Sequence, residues 1–207
     1  MLKILGHSAS INVRKVLWLC AELGLPYEQE PWGQVPLSTQ SPEFLRLNPN
    51  ALVPVLIDGD FVLSESNTIC RYLANKCGRT DLLPTDPMAR ARVEQWMDWG
   101  ATELNVAWRY AFMALVRKTP IDPDPILLAQ SVTSWNRHMQ ILNGVLEKTM
   151  AYAAGPSFTV ADVVLGLGTN RWWMTPIEHA VLPAVQDYYH RLSERPAFLL
   201  HVRNGLP

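Results

Sequence analysis

Long apolar runs are missing from this chain, and none approaches the roughly 20 residues that a membrane-spanning helix needs. The opening residues, Met1-Leu2-Lys3-Ile4-Leu5, run straight into a strand pattern without the h-region of a signal peptide. Cysteine is scarce: Cys20, Cys70 and Cys77 form neither a C-x-x-C pair nor a metal-ligand spacing. The histidines, His7, His138, His179, His190 and His201, show no ligand spacing either, so no metal is expected. An excess of one charge is lacking too. A formal net charge of −1 gives nucleic acid or an anionic membrane no electrostatic reason to bind. Repeats and low-complexity tracts are absent. These features describe a cytoplasmic chain in a reducing compartment, with its cysteines used as small apolar residues inside helices.

The 207 residues are 48% hydrophobic and 18% charged, a globular composition long enough to bury a core. Eight tryptophans are a high count, and some are expected at a pocket or interface. Strand and helix signals alternate through the first eighty residues. Lys3–Gly6 reads as a strand and Asn12–Leu23 as a helix stopped by Gly24 and Pro26. Tyr27–Pro31 reads as a second strand, and Ser41-Pro42-Glu43 as a helix start. Val53–Ile57 and Phe61–Ser64 flank the hairpin signal Asp58-Gly59-Asp60, and Ser66–Lys76 is a helix closed by Gly78. Leu82–Pro87 is a linker. Helical periodicity then dominates: Met88–Val116, Ile126–Thr149, Val160–Trp173 and Pro183–Glu194. Thr159 and Asp162 are spaced as a capping box, with Phe158 and Val163 at the staple positions. The expected architecture is a small α/β domain followed by an all-α domain.

Three segments carry chemistry. In the first, a strand ends at Gly6 and His7-Ser8-Ala9-Ser10-Ile11-Asn12 leads into a helix, which aims hydroxyl and amide groups at a helix N-terminus. Unpaired N–H groups and the helix dipole there favour negative charge, and hydrogen bonds to a thiolate lower a thiol's pKa. Each unit of lowering corresponds to about 1.4 kcal/mol. Serine would act as a donor, because nothing supplies it with a base; the bland alternative is that Ser10 or Asn12 only caps the helix. In the second segment, Pro54 interrupts a strand-like run. Backbone groups of the preceding residue can then stay free for an extended peptide. In the third, Glu65-Ser66 precedes a helix, where an acid meets an amino group while Ser66 and the helix end receive a carboxylate. Capping by Ser66 is the alternative.

In this order and spacing, these pieces resemble the glutathione transferase family, in its bacterial, serine-type, theta-like branch. The resemblance rests on Gly6…Ser10-x-Asn12, Leu52-Val53-Pro54-Val55, Asp58-Gly59-Asp60, Leu63-Ser64-Glu65-Ser66-x-x-Ile69, Leu82-Leu83-Pro84 and Phe158-Thr159-x-Ala161-Asp162. It implies a thioredoxin-like glutathione-binding domain over 1–81, a linker over 82–87 and a helical domain with the electrophile pocket over 88–207. It also implies a homodimer, and glutathione as co-substrate without a metal. By the same resemblance Ser10 activates the thiol and Asn12 lies near the sulfur. Val53, before a cis Pro54, pairs with the cysteinyl part, and Glu65 and Ser66 hold the γ-glutamyl end. Relatives place cations near Thr39-Gln40 and just before the Val-Pro pair. This chain has Gln40 and Leu52 there, which implies a more weakly held glycine end, with Trp32 packed over the region.

Thr102, Asn105, Val106 and Arg109 follow i, i+3, i+4, i+7 and are expected to form one face of the electrophile pocket, or else of a dimer contact. Trp172 and Trp173 either close that pocket or pack in the core. The expected activity is conjugation of the glutathione thiolate to a small hydrophobic electrophile in detoxification. A glutathione-dependent disulfide reductase or isomerase, and a non-catalytic binding protein of the same fold, are the alternatives.

Overall fold

The computed structural model describes residues 1–207. Its first region is built on four strands: β1 (Leu2–Leu5), β2 (Tyr27–Glu30), β3 (Val55–Asp58) and β4 (Phe61–Ser64). The sheet order is β2-β1-β3-β4, with β1 parallel to β2 and antiparallel to β3, and β3 antiparallel to β4. Helix α1 (Ile11–Leu23) provides the crossover from β1 to β2, which a parallel pair requires. Its end is set by Gly24 in the left-handed region, at φ 65°. A short α2 (Pro42–Leu47) starts where Ser41 accepts a hydrogen bond from the Phe44 N–H at 3.2 Å, and α3 (Ser66–Lys76) follows β4. This is a thioredoxin-like sheet with its helices, and a helical region succeeds it.

The helical region comprises α4 (Pro87–Trp99), a π-helical turn (Gly100–Leu104), α5 (Asn105–Leu115), α6 (Pro125–Thr149), α7 (Val160–Met174), α8 (Pro183–Ser193) and α9 (Pro196–His201). The long helix expected over Met88–Val116 is thus interrupted by a wider, π-helical turn. At Gly100 a Cβ would stand 2.9 Å from Val164 Cγ1, so this glycine lets the turn lie against α7. Helix α9 has no counterpart in the sequence reading, because six residues do not complete two helical repeats.

Helix α7 is buried along nearly its whole length and forms the axis of the core. Its start is tied down by Asp162, which is fully buried and accepts hydrogen bonds from the N–H groups of Ala153 (3.0 Å) and Thr159 (2.8 Å). The hydroxyls of Thr159 (3.1 Å) and Tyr188 (3.0 Å) also donate to it. The Val160 N–H donates to the Leu82 carbonyl at 3.0 Å, which fastens the segment after α3 to the helical core. Trp172 is wholly buried, whereas Trp173 is partly exposed and stacks on Tyr189. Trp32 belongs to a small core with Leu5, Phe44 and Val55, against which Leu37 also packs, and donates to Glu30. No helix is long and apolar enough to cross a membrane.

Replacing Asp162 with Ala leaves its buried donors without acceptors. The expected cost is about 3 kcal/mol or more, read as a lower urea midpoint at an unchanged m-value.

Candidate functional site

The start of α1 carries a set of unpartnered donors. Ser10 occupies the cap position with extended backbone (φ −81°, ψ 124°), yet its hydroxyl makes no capping hydrogen bond. The N–H groups of Ile11, Asn12 and Val13 also have no partner in the chain. A hydroxyl and three backbone donors therefore converge on one partly open spot where the helix dipole favours an anion.

Close packing brings a second element to this spot. A Cβ on Gly6 (φ 149°) would lie 2.4 Å from Val13 Cγ2 and 3.0 Å from Val53 Cβ. Glycine thus lets the first turn of α1 and the loop before β3 meet at the end of β1. The Val53–Pro54 peptide is cis, and neither the N–H nor the carbonyl of Val53 is hydrogen-bonded within the chain. These are free groups of the kind an added peptide strand uses.

The third element is the start of α3. Glu65 has φ 69° and ψ 105°, outside the regions that a side-chain-bearing residue favours, at a cost of about 1–3 kcal/mol. The N–H groups of Ser66, Asn67 and Thr68 have no partner in the chain. The Ser66 hydroxyl donates to Asn12 Oδ1 at 3.4 Å. A cleft of about 300 Å³ collects Asn12, Glu65 and Ser66 with Lys15, Arg71, Asp98 and Asn105. Arg71 bonds Asp98 at 2.5 Å, so the cleft holds both signs of charge.

Lys15 is absent from the sequence-based expectations. Its ammonium donates to Asn67 Oδ1 at 3.2 Å and to Ser66 Oγ at 3.5 Å, with 8% of the residue exposed. Burial and, after it, the charge of Arg171 push its pKa down to about 8, and the Glu65 carboxylate offsets part of that effect. The signal for it was present: Val13 and the run Val16–Cys20 leave α1 no fully polar face, so its cations could not all reach water.

Gln40 and Leu52 are exposed and do not line this cleft. Leu52 offers its carbonyl to Asn48 Nδ2 at 2.8 Å. The face expected of Thr102, Asn105, Val106 and Arg109 does not exist as one surface. Asn105 joins the cleft at α1 and α3, whereas Thr102 and Val106 line a separate cavity against α6 with Tyr110 and His138. Arg109 is exposed and makes no hydrogen bond or ion pair. Asn105 and Val106 are consecutive on α5 and so point about 100° apart, one towards each cavity. Burial raises the Cys20 and Cys70 thiols to about 12, so neither is a ready nucleophile. No group of three or more His, Cys, Asp or Glu side chains is placed to hold a metal ion.

Residues 1–75 match the family model described as Glutathione S-transferase, N-terminal domain. The chain is 36% identical over 199 residues to Glutathione S-transferase GstB of Escherichia coli strain K12, covering 95% of each. The chain belongs to the glutathione S-transferase family. That membership makes it a transferase. Glutathione S-transferase 3 of Zea mays is 32% identical, over 95% of this chain and 91% of its own length. Among solved structures, the theta-class glutathione S-transferase of Xanthomonas axonopodis pv. citri with glutathione bound superposes with a TM-score of 0.92. It is 34% identical, over 100% of this chain and 99% of that one.

The buried lysine gives a pH prediction. Between about 8 and the ordinary 10.5, the folded chain binds fewer protons at Lys15 than the unfolded chain does, so this residue makes stability rise with pH across that window. Comparing urea unfolding of the native protein and Lys15→Met from pH 7 to 10 isolates it. The native protein is expected to gain on the variant by at most about 3 kcal/mol.

Proposed function

We propose that this transferase binds glutathione along the line from Val53 to α3 and conjugates its thiolate to a small hydrophobic electrophile. The observation that carries the reading is the unpartnered Ser10 hydroxyl beside three unpaired N–H groups at the start of α1. A thiolate placed there accepts a hydrogen bond from Ser10 and sits at the positive end of the helix, which lowers the thiol's pKa. The thiol proton passes to water. The sulfur forms a bond to the electrophilic carbon as the leaving group departs with its electron pair.

The other residues take roles by their geometry. The free N–H and carbonyl of Val53, before cis Pro54, pair with the cysteinyl part as an added strand does. The Glu65 carboxylate meets the γ-glutamyl amino group, and its carboxylate is received by Ser66, the N–H groups at the start of α3 and Lys15. Gln40 and Leu52 lie at the glycine end and bring no charge there. Asn12 is engaged towards Ser66, which favours Ser10 as the group that contacts the sulfur. Asn105 reaches the cleft from α5, and Arg109 stays exposed on the same helix. Exposed Val106, Ile126 and Leu127, around the cavity that includes Thr102, support a second copy of the chain covering that side in a homodimer. The three free cysteines suit a cytoplasmic, detoxifying enzyme, and the units are residues 1–81 and 88–207 joined by 82–87.

Replacing Ser10 with Ala is expected to lower kcat/KM for conjugation to an aryl halide by about 100-fold. Ultraviolet titration of bound glutathione should show the thiol pKa rising by about one to two units. Unchanged turnover would remove Ser10 as activator. A thiol that ionises at its free value in the native protein would instead favour a binding protein without conjugating activity.

A further inference from the structure

Beside the Ser10 loop lies a group of cations with no acidic side chain among them. Arg171 of α7 is 3% exposed, and its guanidinium carbon sits 3.9 Å from the centre of the Phe112 ring and 4.5 Å from that of Trp108. Its buried Nε has no hydrogen-bond partner, and no carboxylate lies within ion-pair distance of the side chain. Arg117 approaches the same Phe112 ring at 5.6 Å and donates to the carbonyl of Ala9 at 3.2 Å, one residue from Ser10. Arg14, a turn into α1, is close enough to both to repel them. Its own terminal nitrogens are taken by the backbone oxygens of Val202, Leu206 and Pro207.

Aromatic faces offset only part of what it costs to bury a guanidinium, and like charges add to that cost. Burial first, then Arg14 and Arg117, lower Arg171 to about 9; no acidic side chain acts in the opposite direction. His7, next to the loop, is pulled down by burial and by Arg117. The charged side chains that act on Arg171 are therefore all positive. The thiolate at Ser10 offsets part of this positive charge, and an electrophile that itself carries an anion offsets more of it.

We propose that the electrophile this transferase accepts carries a carboxylate, received by Arg117 and Arg171 beside the Ser10 loop. This rests on the function proposed above and narrows its substrate class. A carboxylate suits a guanidinium fork, and one end on Arg117 places the rest of a small molecule at the Ser10 loop. The carboxylate is a spectator in the step: the carbon–sulfur bond forms, the bond to the leaving group breaks, and that group takes the electron pair.

The test compares conjugation of glutathione to a chlorodinitrobenzoate and to its methyl ester, which differ by one charge. The native enzyme is expected to prefer the acid in kcat/KM by about 10-fold or more, a preference that weakens with added salt. Arg117→Gln, at an exposed position, and Arg171→Met, which keeps contact with the two rings, should each bring the ratio towards one. Equal use of acid and ester by the native enzyme overturns the carboxylate subsite and leaves conjugation intact. A preference that survives in both variants overturns the assignment to these arginines. Failure to conjugate either compound overturns the parent reading and this one with it.

Discussion

At the end of β1, the first turn of α1 and the cis-proline loop approach each other so closely that a single methyl group at position 6 would collide with both Val13 and Val53. That constraint organises the region. It fixes the distance between two sets of unpaired backbone groups, those of Ile11–Val13 and those of Val53, which lie far apart in the chain. A folded protein ordinarily pairs its backbone donors and acceptors, or leaves them in water. Here several are left free along one line that ends at a third set, the N–H groups opening α3.

The cations near this line were placed against ordinary preferences. Lys15 is held behind Ser66, and Arg171 is sealed against aromatic rings. Both carry a desolvation cost that the protein alone does not recover. The strained backbone of Glu65 belongs to the same pattern, since its unusual φ sets where the carboxyl group leaves the chain at the start of α3. Costs of this kind concentrate on one side of the molecule. Around Asp162, by contrast, the buried polar groups are engaged by hydrogen bonds.

Much of the fold was legible because its punctuation is local. Gly24, Ser41-Pro42, Asp58-Gly59 and the Thr159/Asp162 pair each act on neighbouring residues, so the bounds of α1, α2, β3, β4 and the start of α7 could be read within a residue or two. The functional segments were legible as motifs but not as geometry. Nothing local to Glu65 announces a positive φ, and nothing in residues 100–104 announces a change of helical pitch. Lys15 was overlooked because lysine on a helix is usually solvated, although its neighbours on α1 are almost all apolar. The helical face drawn through residues 102–109 is divided because the adjacent Asn105 and Val106 turn to different cavities, which depends on what packs on each side of α5.

That π turn makes chain length, rather than side-chain identity, the variable that decides which residue looks into the cleft. The turn holds one residue more than an α-helical turn needs, so loss of a residue there could be absorbed with the helix unbroken. The segment from Asn105 onwards would then rotate by about 100° about its axis. A change of one residue would in this way re-face a whole wall of the site, while every side chain on α5 stayed the same.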